Sequence, residues 1–139
     1  MFLLEDASAV RTRGAGQALV EFALMVSVFM LLVLGTFDMA RAYLAYTVTS
    51  NAVREVARYG AAHYGQVNWQ ANAQQAGRNL AVGVDSTNLQ LAQPTQRTID
   101  GLTYISASGS YSFHSVTPLV GALLGNPINM QVATAVLAG

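Results

Sequence analysis

From Phe22 to Phe37 the chain runs for 16 residues without a charged side chain, and this run limits what the rest can become. With Gln17–Glu21 added, the stretch is about 21 residues long, close to the roughly 20 that a helix needs to cross a bilayer core. A helix that is apolar on every side needs cover on every side, from lipid or from protein. The chain has 139 residues, and the roughly 100 outside the run are too few to wrap it as a soluble core would. Composition agrees: 53% of residues are hydrophobic and 10% charged, where about 25% charged is usual for a soluble domain.

The seven Arg balance seven Asp plus Glu, so net charge is zero and no basic patch suggests nucleic acid. There is no cysteine, which removes disulfides, thiolate catalysis and Cys-ligated metal together. His63 and His114 are the only histidines, and neither sits in a G-x-S-x-G or H-E-x-x-H setting. His63 reads as a helix-end residue and His114 as an exposed strand residue. With Asp85 or Asp100 they make a poor metal set. Neither an enzyme nor a cofactor is expected.

Residues 1–16, "MFLLEDASAVRTRGAG", read as a short leader outside the packed structure. Arg11 and Arg13 favour a cytoplasmic N-terminus, although Arg41 beyond the run weakens that count. No proline interrupts residues 17–63, and Leu44, Val48, Ala52, Val56, Tyr59 and His63 recur at helical spacing. One helix from about Gln17 to about Ala62, roughly 70 Å long, is predicted. A second helix follows on Trp69, Ala73, Ala76 and Leu80, with Gly83 as its stop.

The period then changes to two. Leu89 and Leu91 alternate with Gln90, Asp100-Gly101 is a hairpin signal between strand-like flanks, and "SYSFHSVT" and "INMQVATAV" alternate apolar with small or polar residues. "PLVGALLGNP" between them is either a short helix or a surface loop. The predicted fold is α+β: a long N-terminal helix, transmembrane or filament-core, then a short helix and a small antiparallel sheet of three or four strands. The organisation is a leader at 1–16, a long helix at 17–62 with its spanning part at 17–37, and an α+β head at 63–139.

Glu21 is the anomaly, a carboxylate at the mouth of the apolar run. Charged groups in such segments generally mark function by pairing with a partner. Gly16 precedes it by five, and "GQALVEF", set between an Arg-containing leader and a hydrophobic helix, resembles the processing site of type IV prepilins and pseudopilins. The likeness extends through "GQALVEFALMVSVFMLLVLGTFDMARAYLAYTVTSNAVREVARYGA", which is similar to the N-terminal helix of TadE/TadG-like proteins of tight-adherence pilus systems. "YSFHSVTPLVGALLGNPINMQVATAV" resembles that family's closing strand, Pro-Leu insert and final strand. Residues 66–100 carry no such likeness, and the chain ends in "AVLAG" where many relatives end in charged residues.

The resemblance implies cleavage by a prepilin peptidase between Gly16 and Gln17, leaving Glu21 fifth in the mature chain. It implies a structural pilin or minor pseudopilin, held in the inner (cytoplasmic) membrane before assembly. An assembly platform with a cytoplasmic ATPase would then lift it into an extracellular pilus for surface attachment. Its partners would be other pilin subunits, and its Glu21 would pair the freed N-terminal amine. The Asp38/Arg41 and Glu55/Arg58 pairs, at three-residue spacing, read as helix-surface ion pairs in preference to inter-subunit contacts. The competing reading is a membrane-anchored or secreted binding protein whose signal peptide is cut near Ala42, within "MARA". Trp69, Tyr64, Tyr104 and Tyr111 would then supply an adhesive surface, although packing explains such aromatics as well.

Overall fold

The computed structural model describes residues 6–138, and side chains from Gly16 onward apart from Leu119. Helix α1 runs from Asp6 to His63, α2 from Trp69 to Leu80 and α3 from Pro118 to Leu124; the strands are β1 Leu89–Leu91, β2 Thr95–Ile99, β3 Leu102–Phe113 and β4 Ile128–Leu137. The architecture is α+β, as the sequence pattern predicts, and the Pro-Leu insert is the helical alternative, with Pro at its start. Of the leader, residues 1–5 lie outside the described residues. The start of the long helix differs from the expected Gln17, because α1 begins eleven residues earlier, at Asp6. The physical reason is local: Ala, Val and Arg dominate 7–15, and Gly14 and Gly16 lower helix stability by about 1 kcal/mol each without breaking it.

The chain divides between Phe37 and Asp38 into two units. In the first, every large apolar side chain from Leu19 to Leu32 is exposed. The two hydroxyls within the charge-free run turn back on their own helix: Ser27 Oγ donates to the Ala23 carbonyl and Thr36 Oγ1 to the Leu32 carbonyl, both at 2.8 Å. That leaves no unpaired hydroxyl donor on a surface that water need not reach.

The second unit is built around β3. Its odd residues Ile105, Ala107, Tyr111 and Phe113 are buried against the α1 face formed by Ala45, Thr49, Ala52, Val53, Val56 and Ala57. Its even residues from Ser106 to Ser112 are all serine and lie on the opposite face. β4 pairs antiparallel along one edge of β3, from Tyr104↔Leu137 to Phe113↔Ile128. The other edge is shared: β2 takes Leu102–Ser106 and β1 takes Gly109–Tyr111. Pro94, buried between β1 and β2, has no N–H to add to a ladder and marks the break. The β2–β3 hairpin turns on Asp100 (φ 52°) and Gly101 (φ 77°), the two positive φ values a tight two-residue hairpin of this type requires.

Helix α2 meets the strand it borders through side chain to backbone bonds. Gln74 Nε2 donates to the Leu91 carbonyl at 2.8 Å and Gln70 Nε2 to the Pro94 carbonyl at 3.0 Å. Of the expected line Trp69, Ala73, Ala76 and Leu80, Ala73 is buried and Leu80 is exposed, and the second buried residue is Gly77. Gly77 is required by close approach: a Cβ there would stand 2.5 Å from Val56 Cγ2 and 2.8 Å from the Ala52 carbonyl oxygen. Gly77→Ala is therefore expected to destabilise the head by about 1–2 kcal/mol, overpacking outweighing the gain in helix propensity. A denaturant midpoint equal to or above wild type would show that α2 can shift to make room.

Candidate functional site

Two places on α1 carry chemistry, one in each unit. In the first unit, Gly16, Gln17 and Glu21 are all exposed and lie within one unbroken stretch of helix. Residues four apart face the same way, so Gln17 and Glu21 share a side of α1. From Gln17 to Phe37 Glu21 is the sole ionisable side chain, at the start of an exposed apolar surface that includes Leu19, Phe22 and Met25. This helix is long and apolar enough to cross a membrane, and none of its most apolar window is buried.

In the second unit, Asp38 stands where a surface ion pair was expected, yet it is 3% exposed. Its carboxylate accepts the Thr117 N–H at 2.7 Å and the Val116 N–H at 3.1 Å, across 79 and 78 residues of chain. Thr117 is the residue before α3, and its own side chain makes no cap hydrogen bond. A carboxylate from α1 thus holds the two N–H groups that lead into α3, Thr117 standing at its N-cap position. Arg41 approaches Asp38 Oδ1 at 3.4 Å, but its side chain is 54% exposed and its guanidinium lies 5.5 Å from the centre of the Phe113 ring. At that distance the ion pair is a minor partner of the buried acid.

The Thr117 N–H is the main cause that holds the Asp38 carboxyl below the usual carboxylate range. Burial opposes it, and the Val116 N–H and the Arg41 charge add smaller lowering. The Thr117 hydroxyl also adds to the lowering, without meeting hydrogen-bond geometry. The only signal in the sequence was "VTPL", a helix start with proline at the first position, and it does not point to Asp38.

Glu55 and Arg58 form a two-pronged pair on the surface of α1, Nε to Oε2 at 2.8 Å and Nη2 to Oε1 at 2.9 Å. Glu55 raises the Arg58 pKa above its ordinary value by accepting those bonds. His63 closes α1, stacked on Tyr59 with ring centres 4.1 Å apart, and His114 is exposed. Among the described residues no three His, Asp or Glu side chains gather as a metal site would need.

Residues 16–58 match the family model of the TadE-like proteins. No curated protein and no solved structure matches the chain. The family is structural and pilus-associated, not enzymatic. The matched stretch starts at Gly16 and takes in Glu21, the apolar surface, Asp38 and the Glu55–Arg58 pair. From Gly16 to Arg58, then, the chain is similar to the TadE-like proteins.

Proposed function

We propose that this protein is a structural subunit, pilin or minor pseudopilin, of a type IV-like tight-adherence pilus. It is processed by a prepilin peptidase between Gly16 and Gln17 and assembled through α1. The observation that carries the reading is the exposed, charge-free helix surface over Phe22–Phe37, headed by Glu21 five residues after Gly16, within the TadE-like match. Such a surface suits two hosts in turn. In the inner membrane lipid covers it, and in a filament the same surface of neighbouring subunits does.

Cleavage creates an ammonium on Gln17, and Glu21, one helical turn further on, is its counter-charge within the chain or on a neighbour. A buried charge left without a partner costs about 3–5 kcal/mol. Glu21→Gln is therefore expected to keep the protein in the membrane while reducing its recovery in sheared filaments at least about tenfold, tenfold corresponding to about 1.4 kcal/mol. Wild-type recovery of the variant in filaments would remove the pairing role. A cut near Ala42 is the poorer reading, because it discards Asp38 and with it the acceptor for the Val116 and Thr117 N–H groups.

A further inference from the structure

Helix α3 and the segment leading into it carry apolar surface that the head does not use. Val116 is 69% exposed, Leu123 75% and Leu124 69%. Exposed single apolar residues are ordinary, so exposure alone assigns nothing. Their place in the chain does. The Asp38 carboxylate holds the N–H groups of Val116 and Thr117, and α3 starts at the next residue. Asp38 is also the residue that follows the 17–37 span, so the start of α3 is pinned to the turn of α1 at the edge of the bilayer.

Three further observations fit a lipid surface there. Tyr43 and Tyr46, within the next two turns of α1, are exposed, and tyrosine concentrates at membrane–water interfaces. The chain has no Asp, Glu, Lys or Arg after Asp100, so the segment carrying α3 brings no charge with it. The N–H groups of Val116 and Thr117, which lead into α3, are already taken by Asp38 and need no water. At seven residues α3 is too short to cross a bilayer and suited only to lie on one.

We propose that α3 is a second membrane contact: before assembly, Val116, Leu123 and Leu124 sit in the headgroup–acyl boundary of the bilayer that α1 crosses. The contact rests on reading residues 17–37 as the span. The absence of cysteine makes single-site labelling direct. Leu123→Cys and Leu124→Cys, each carrying a polarity-sensitive fluorophore, are compared with Val28→Cys in the span and Ser86→Cys on an exposed loop. The full chain is placed in vesicles of phosphatidylethanolamine and phosphatidylglycerol, with or without nitroxide-labelled acyl chains.

The expected result is blue-shifted emission at 123 and 124, quenched by the nitroxide lipids and resistant to aqueous iodide, with Ser86→Cys behaving oppositely. Water-like emission at 123 and 124 with quenching retained at 28 overturns the contact and leaves the span standing. Water-like emission at 28 as well overturns the span and the contact together. A blue shift at 123 and 124 without nitroxide quenching means a second protein copy covers α3, and quenching at 86 means the whole head collapses onto lipid. Either result also overturns the proposal.

Discussion

A Gly16→Phe chain is expected to keep its leader and to build no filament, the largest effect of any single substitution in this protein. Cleavage is all-or-none, and everything proposed for assembly follows from it: the new ammonium, its pairing with Glu21, and release of residues that precede the apolar surface. Because α1 is helical on both sides of the Gly16–Gln17 bond, a cut there makes Gln17 the start of a helix. The first unpaired N–H groups then carry partial positive charge, which adds to the attraction of Glu21 for that end. Mass measurement of the N-terminus decides the matter. Wild-type material should start at Gln17 and the variant should retain the leader. A start at Tyr43 would establish the signal-peptide alternative, and normal filaments from uncleaved Gly16→Phe would sink the cleavage assignment.

Asp38→Ala is expected to lower the stability of the head by about 3 kcal/mol, because two N–H donors lose a charged acceptor and one of them is buried. For a domain of this size that is a fall in Tm of more than about 10 °C, read by circular dichroism on the full chain in detergent. Asp38→Asn keeps a carbonyl oxygen but not the charge and should fall between the two. Arg41→Ala should cost about 1 kcal/mol or less, its ion pair being long and half exposed. Equal effects at 38 and 41 would mean that the ion pair, not the α3 tie, carries the interaction.

The same carboxylate sets an acid limit. Its folded pKa is depressed, so its contribution is fully present above the unfolded value of 3.8 and is lost as pH falls through the lower folded value. Wild type should therefore lose head stability below about pH 4. Asp38→Asn, already without that contribution, should lose less over the same window.

The long helix was legible because its signals are local: an apolar run of membrane length and no proline. The hairpin at Asp100-Gly101 was legible for the same reason, a turn that only certain residues permit. Which face of α1 packs was harder. Spacing favoured Leu44–Val48–Ala52–Val56, of which Ala52 and Val56 are buried, but the packed face also takes in Ala45, Thr49, Val53 and Ala57 and leaves Leu44 exposed. A sheet lying close to a helix selects small side chains, and hydropathy ranks them below leucine. α2 repeats the lesson, with Gly77 at its contact and Leu80 outside it. Asp38 escaped for a different reason. Its partners are backbone groups far along the chain, and three-residue spacing to Arg41 offered a nearer and weaker explanation.

The bond from Asp38 to Thr117 also orders events in time. At roughly 5–20 residues per second, about 4–16 s separate synthesis of the acceptor from synthesis of its donor. The apolar helix segment has left the ribosome well before then. Insertion of the anchor can therefore be finished while the head is still an open chain, and the last strand, β4, has yet to be made when Thr117 appears. A chain stopped short of residue 116 should be anchored but unclosed, which makes it a substrate for proteolysis at the membrane surface and not a competitor for incorporation.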